Sequence, residues 1–81
     1  MRFVNIGFGN VVNISKIVSV VSPESAPIKR IVQMSKAAST LIDATFGRKC
    51  KAVIITDSEY IVLSALTTET IVARMEDLNG E

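Results

Sequence analysis

At 81 residues the chain has the length of one domain, and a domain this short buries only about 60–65% of the surface its unfolded chain exposes. A single cysteine, Cys50, excludes an internal disulfide, and the absence of histidine removes the usual zinc ligand sets. Hydrophobic residues make up 48% of the chain and only Phe3, Phe8, Phe46 and Tyr60 are aromatic, so the missing burial is expected from self-association.

No apolar run reaches the roughly 18–20 residues that cross a bilayer. Asn5, Gly7 and Gly9 interrupt the start before a signal-peptide core can form. With one reduced thiol, this predicts a cytoplasmic protein with no membrane partner. The net charge of +1 conceals a split. Residues 1–56 carry eight basic side chains against Glu24 and Asp43, a surplus of six positive charges. Residues 57–81 set Arg74 against six acidic side chains. A ring of copies would repeat the basic segment as a belt able to meet a polyanion.

In chain order, residues 3–6 read as a strand and Gly7-Phe8-Gly9-Asn10 as a glycine turn. Val11-Val12 and residues 17–21 continue as strand, joined by Asn13-Ile14-Ser15-Lys16. Ser22-Pro23-Glu24-Ser25 stops the strand, and Ser25 or Ala26 caps a helix with Pro27 in its first turn. Ile28, Ile31, Val32 and Ser35 form its inward face, with Lys29, Gln33 and Lys36 opposite and Arg30 at the border. Leu41-Ile42-Asp43-Ala44-Thr45 is extended, and Phe46-Gly47-Arg48-Lys49 reads as a loop. Residues 52–56 and 60–65 are strands joined by a tight hairpin at Asp57-Ser58, with Glu59 a possible third loop residue. Both are almost continuously aliphatic, so both faces should be covered, one by helices and the other by a neighbouring subunit. Thr67 caps a last helix with Glu69 in its first turn, an Ile71, Val72 and Met75 stripe, and an end at Asn79-Gly80. No linker or internal repeat is evident. The fold class is α+β, a small mainly antiparallel sheet with two helices in a single domain, residues 1–81.

Catalysis is poorly supported. Without histidine, neither a Ser-His-Asp nor a Cys-His arrangement can be assembled. Lys49 and Lys51 flank Cys50 and could lower its pKa, but no general base accompanies it. Gly7-x-Gly9 is half a dinucleotide fingerprint, yet Val12 stands at the third glycine and a strand follows where a helix is required. No enzyme activity, cofactor or small-molecule substrate is implied. What remains is Arg48-Lys49-Cys50-Lys51, three cations in four residues after a glycine, suited to phosphate oxygens and, through arginine, to guanine.

Asn5-Ile6-Gly7-Phe8-Gly9-Asn10 and Val21-Ser22-Pro23-Glu24-Ser25-Ala26-Pro27-Ile28-Lys29-Arg30 resemble the RemA family of extracellular-matrix regulators. Leu41-Ile42-Asp43-Ala44-Thr45-Phe46-Gly47-Arg48, Ser64-Ala65 and Glu69-Thr70 continue the resemblance, which spans residues 3 to about 74. It implies a bacterial DNA-binding activator of biofilm-matrix operons, a fold likened to LytTR-type domains, and ring-shaped homo-oligomers. It also implies DNA contacts at Lys16, Arg48 and Lys49, to which the cation cluster adds Lys51, and sensitivity to change at Pro27. Lys16 and Lys49 stand where the family usually has arginine, which keeps the charge and loses the two-pronged donor. The expected partners are double-stranded DNA and further copies of the chain. The rival expectation is an oligomeric scaffold that recruits another protein through its acidic end without touching DNA. The few aromatics are not spaced along the chain as a base-stacking platform, which argues against RNA.

Overall fold

The computed structural model describes residues 2–79. Strands β1 (Phe3–Gly7) and β2 (Asn10–Asn13) form an antiparallel hairpin of their own. A single 3-10 turn (Ile14–Lys16), capped by the Asn13 side chain on the Ser15 N–H, leads into β3 (Ile17–Val21). Helix α1 (Ala26–Ala37) follows, then β4 (Leu41–Asp43), β5 (Ala52–Thr56), β6 (Ile61–Ser64) and helix α2 (Thr68–Asn79). The second sheet has the order β3-β5-β6-β4. Its β3–β5 and β5–β6 pairs are antiparallel, whereas β4 lies parallel to β6. The expected α+β class with two helices is therefore present, with one parallel pair in the sheet. Helix α1 carries the chain from edge strand β3 to edge strand β4, and the parallel pair β4 and β6 is joined through residues 44–60, which include β5.

Local sequence explains the helix ends. The Ser25 hydroxyl accepts the Ile28 N–H at 3.4 Å, and Pro27 occupies the first turn, where a missing N–H costs nothing. At the other end the Thr40 N–H donates to Ser35 O (2.9 Å) and the Ser39 N–H to Lys36 O (3.2 Å), with Ser39 at φ 61°. Those two bonds make a Schellman cap with serine at the left-handed position that glycine usually fills. In α2 the Thr67 hydroxyl accepts the Thr70 N–H at 3.2 Å, as expected of an N-cap. Gly80, expected to end that helix, lies outside the described residues. Between β5 and β6 the loop is Asp57-Ser58-Glu59, with Glu59 at φ 73°, a three-residue hairpin closed by a left-handed residue.

The main core lies between one face of the larger sheet, the β1–β2 hairpin and α2. Val4, Ile6, Ala44, Ala52, Ile54, Val62 and Ile71 form it, with Val12, Ile14, Ile17, Val20, Leu66 and Met75 packed around them. Two contacts dock the hairpin: the Ser64 hydroxyl donates to Ile6 O (2.8 Å) and the Arg74 guanidinium to Asn5 O (3.0 Å). The opposite sheet face, carrying Val53 and Leu63, meets Val32 and Pro23 across a shallow cavity. Val53 and Ile54, adjacent and on opposite faces, are both wholly buried. One chain thus covers both faces of β5, correcting the expectation that a neighbouring subunit was needed for one of them. The hairpin was the unforeseen cover, because pattern alone does not say which element docks where. Val72 is a second correction: Ile71 is wholly buried and Met75 half-buried, but Val72 is 40% exposed on the outward side of α2.

Candidate nucleic-acid interface

Two short segments repeat one design. In Asn5-Ile6-Gly7-Phe8-Gly9 and Asp43-Ala44-Thr45-Phe46-Gly47, an Asn or Asp within a strand stands three residues before a Phe-Gly pair. Each carboxamide or carboxylate folds back on the backbone two residues on. Asn5 Oδ1 accepts the Gly7 N–H at 2.7 Å, and Asp43 Oδ1 accepts the Thr45 N–H at 2.9 Å and its hydroxyl at 2.6 Å. The next residue, Ile6 or Ala44, is buried and anchors the turn in the core. The turn itself then has positive φ at both central residues, 55° and 80° at Phe8 and Gly9, 55° and 79° at Phe46 and Gly47. This is the signature of a type I′ turn, which normally takes Asn, Asp or Gly at both places. A bulky phenylalanine held there costs about 1–3 kcal/mol.

The two turns converge. The Phe8 and Phe46 rings stack with centroids 5.2 Å apart and planes at 19°, and the Arg48 guanidinium carbon lies over the Phe8 ring at 5.8 Å. Both rings face solvent, Phe8 at 49% exposure and Phe46 at 78%. Arg48 is fixed at the end of its turn by an N–H bond to Thr45 O at 3.0 Å, and Lys51 by one to Ser64 O at 2.9 Å. Arg48, Lys49 and Lys51 line one surface depression with Phe8, Ala65 and Leu66. All three cations are exposed, and among the described residues no carboxylate pairs with Lys49 or Lys51. The surface so made is a cationic rim beside an aromatic step, chemistry suited to phosphates and to the faces of bases.

The remaining predicted positions lie elsewhere. Lys16 ends the 3-10 turn, exposed, its carbonyl accepting the Asp57 N–H at 2.9 Å. Ile17 pairs with Thr56, so Lys16 sits at the far end of β5 from Lys51. The length of that strand, about 13 Å at ordinary rise, separates their backbones. A single chain therefore gathers Arg48, Lys49 and Lys51 but not Lys16. Pro27 is exposed in the first turn of α1, a position with a conformational role and little packing.

Three sequence readings change. Two of the aromatics, Phe8 and Phe46, far apart in sequence, form a stack in space. The twofold Asx-x-x-Phe-Gly pattern is the signal that announces it, so a local repeat exists where none was expected. The Cys50 thiol is not lowered by its lysine neighbours: burial pushes its pKa up, and it donates to Ala52 O at 3.3 Å. Asp43, by contrast, is held below the usual carboxylate range by the Thr45 hydroxyl and N–H.

The fold is a small α+β module that carries an exposed cluster of cations. The chain matches the RemA-like family, described as extracellular matrix regulatory protein A-like, over residues 3–75, and it belongs to that family. A protein of Brevibacillus brevis named as a regulatory protein is 52% identical over 81 residues, covering all of this chain and 94% of its own length. One from Alkaliphilus metalliredigens is 54% identical across the whole chain and 89% of its own. One from Symbiobacterium thermophilum is 57% identical over 93% of this chain and 79% of its own.

Proposed function

We propose that the chain is a cytoplasmic DNA-binding regulator that activates extracellular-matrix genes as a ring-like homo-oligomer. The observation that carries this reading is the exposed set Arg48, Lys49 and Lys51 around one depression, on a chain whose family is described as regulatory. Three cations on one subunit bind duplex DNA weakly and with steep salt dependence. Repetition around a closed oligomer makes later contacts intramolecular and raises avidity by roughly 10²–10⁴. The distance of Lys16 from the cluster fits the same picture. A path that runs from copy to copy can use both ends of the molecule, where one copy offers only one.

The test is a gel shift of promoter-length DNA at two salt concentrations, with oligomer mass measured in parallel. Arg48→Ala combined with Lys49→Ala should lose binding by about a hundredfold while the mass is unchanged. Lys16→Ala should lose less. Wild-type binding that is insensitive to salt, or a double variant that binds like wild type, would defeat the proposal in favour of a protein-recruiting scaffold.

A further inference from the structure

The cationic rim accounts for attraction to phosphate but leaves the aromatic step without a task. An unpaired phenylalanine on a surface is ordinary. Two in left-handed backbone, stacked on each other and fixed from below, are not. Neither ring is placed there to fill the core, since Phe46 is 78% exposed and Phe8 49%. Neither turn is a loose loop. Asp43 holds the Thr45 backbone and hydroxyl, Arg48 closes onto Thr45, and the Asn10 side-chain amide donates to Gly7 O at 3.0 Å. Asparagine or glycine in place of either phenylalanine would suit the backbone better. The fold accepts strain to hold an aromatic ring outward in one orientation.

We propose that Phe46, backed by Phe8, is an apolar wedge that enters the minor groove of duplex DNA and partly unstacks a base step. The inference rests on the DNA-binding reading above and deepens it. The occupant follows from the charge beside the stack: Arg48, Lys49 and Lys51 line a depression with Phe8, on which Phe46 stacks, and an apolar tip with cations next to it matches a base step flanked by phosphates. Phe46 is the more exposed ring and makes the contact. Phe8, half-buried beneath it and capped by the Arg48 guanidinium, is a positioning residue that stops Phe46 from folding away. A wedge of this kind selects flexible pyrimidine–purine steps and bends the duplex, so it reads sequence through deformability with few base-edge hydrogen bonds. That suits a chain in which lysine occupies two of the three expected contact positions.

The experiment uses the full chain and two forty-base-pair duplexes, one with central TA and CA steps and 2-aminopurine at the TA step, the other a stiff A-tract. Wild type should prefer the flexible duplex, raise the 2-aminopurine fluorescence on binding and bend the DNA in an end-to-end energy-transfer measurement. Phe46→Asn, which fits left-handed backbone, should lose about tenfold in affinity for the flexible duplex and abolish the fluorescence rise. It should bind the A-tract within about twofold of wild type, because the cations remain. Phe46→Leu keeps an apolar wedge and should retain the bend. Phe8→Asn should give the same losses at smaller size. Equal binding and bending by Phe46→Asn overturns the proposal. So does a changed oligomer mass in that variant, which would assign the rings to a contact between copies. If wild type binds neither duplex at low salt, the DNA-binding reading falls as well. If wild type binds both equally without a fluorescence change, only the wedge falls.

Discussion

The Phe8 and Phe46 turns share a sequence pattern, a backbone and a ring contact, but they are built into the molecule differently. The Phe8 turn joins two paired strands, is anchored by the large Ile6 side chain, and packs Gly7 against Leu66. The Phe46 turn is anchored by the small Ala44 and the buried Thr45, and holds its shape through the carboxylate of Asp43. Both carry an Asx bond to the backbone, but the first has the larger apolar anchor and the second the charged, doubly bonded carboxylate. The comparison teaches that the same local geometry can be secured in two ways, by a large apolar anchor beside Phe8 and by a carboxylate with a buried threonine beside Phe46.

Removing the anchors should separate the two most sharply. Ile6→Ala is expected to cost about 2–5 kcal/mol, whereas Ala44→Gly should cost about 1 kcal/mol. Urea unfolding at fixed protomer concentration measures both, and equal losses would show that the turns are secured alike. The glycines give a middle-sized contrast. Gly7 has φ +106° and a Cβ there would meet Leu66 Cγ at 3.4 Å, while a Cβ on Gly47 (φ +79°) would meet nothing within 4 Å. Gly7→Ala should therefore cost about 2–3 kcal/mol and Gly47→Ala about 1–2 kcal/mol, both by thermal unfolding.

The smallest effect concerns the polar bonds. Asn5→Ala and Asp43→Ala should each cost about 0.5–1.5 kcal/mol, with the carboxylate at the upper end. Only the Asp43 contribution depends on pH. Its folded pKa is lowered, so the stabilisation is fully present above the ordinary carboxylate pKa and is lost as pH falls through the lowered folded value. Asn5→Ala should cost the same at both ends of that acid range. Amide exchange at Thr45 and Arg48, followed through the titration, would show whether the Phe46 turn alone loosens in acid.

Much of the fold was legible because its determinants are local. The aliphatic runs of β5 and β6, the Ser25 and Thr67 caps, Pro27 and the short Asp57-Ser58-Glu59 loop each act within a few residues. The parallel pairing of Leu41–Asp43 with β6 was not legible, since no turn joins the two strands directly and β5 lies between them in sequence. At the candidate site the cations announced themselves, being adjacent in sequence. The aromatic step did not, for two physical reasons. Phenylalanine is a residue that propensity argues against at left-handed positions, so neither turn announces Phe8 or Phe46 there. Moreover, the stack depends on β1–β2 docking against β6, a contact that no periodicity encodes.

That docking also orders the making of the protein. The Ser64 hydroxyl bond to Ile6 O spans 58 residues, and the Arg74 bond to Asn5 O spans 69. As the chain leaves the ribosome, Val4 and Ile6 emerge well before β6 and α2, whose Val62 and Ile71 share their core. Such distant closures slow the search for the native state. Nascent fragments that stop before β6 are therefore the species most exposed to clumping, and the interval before release is when a chaperone would matter.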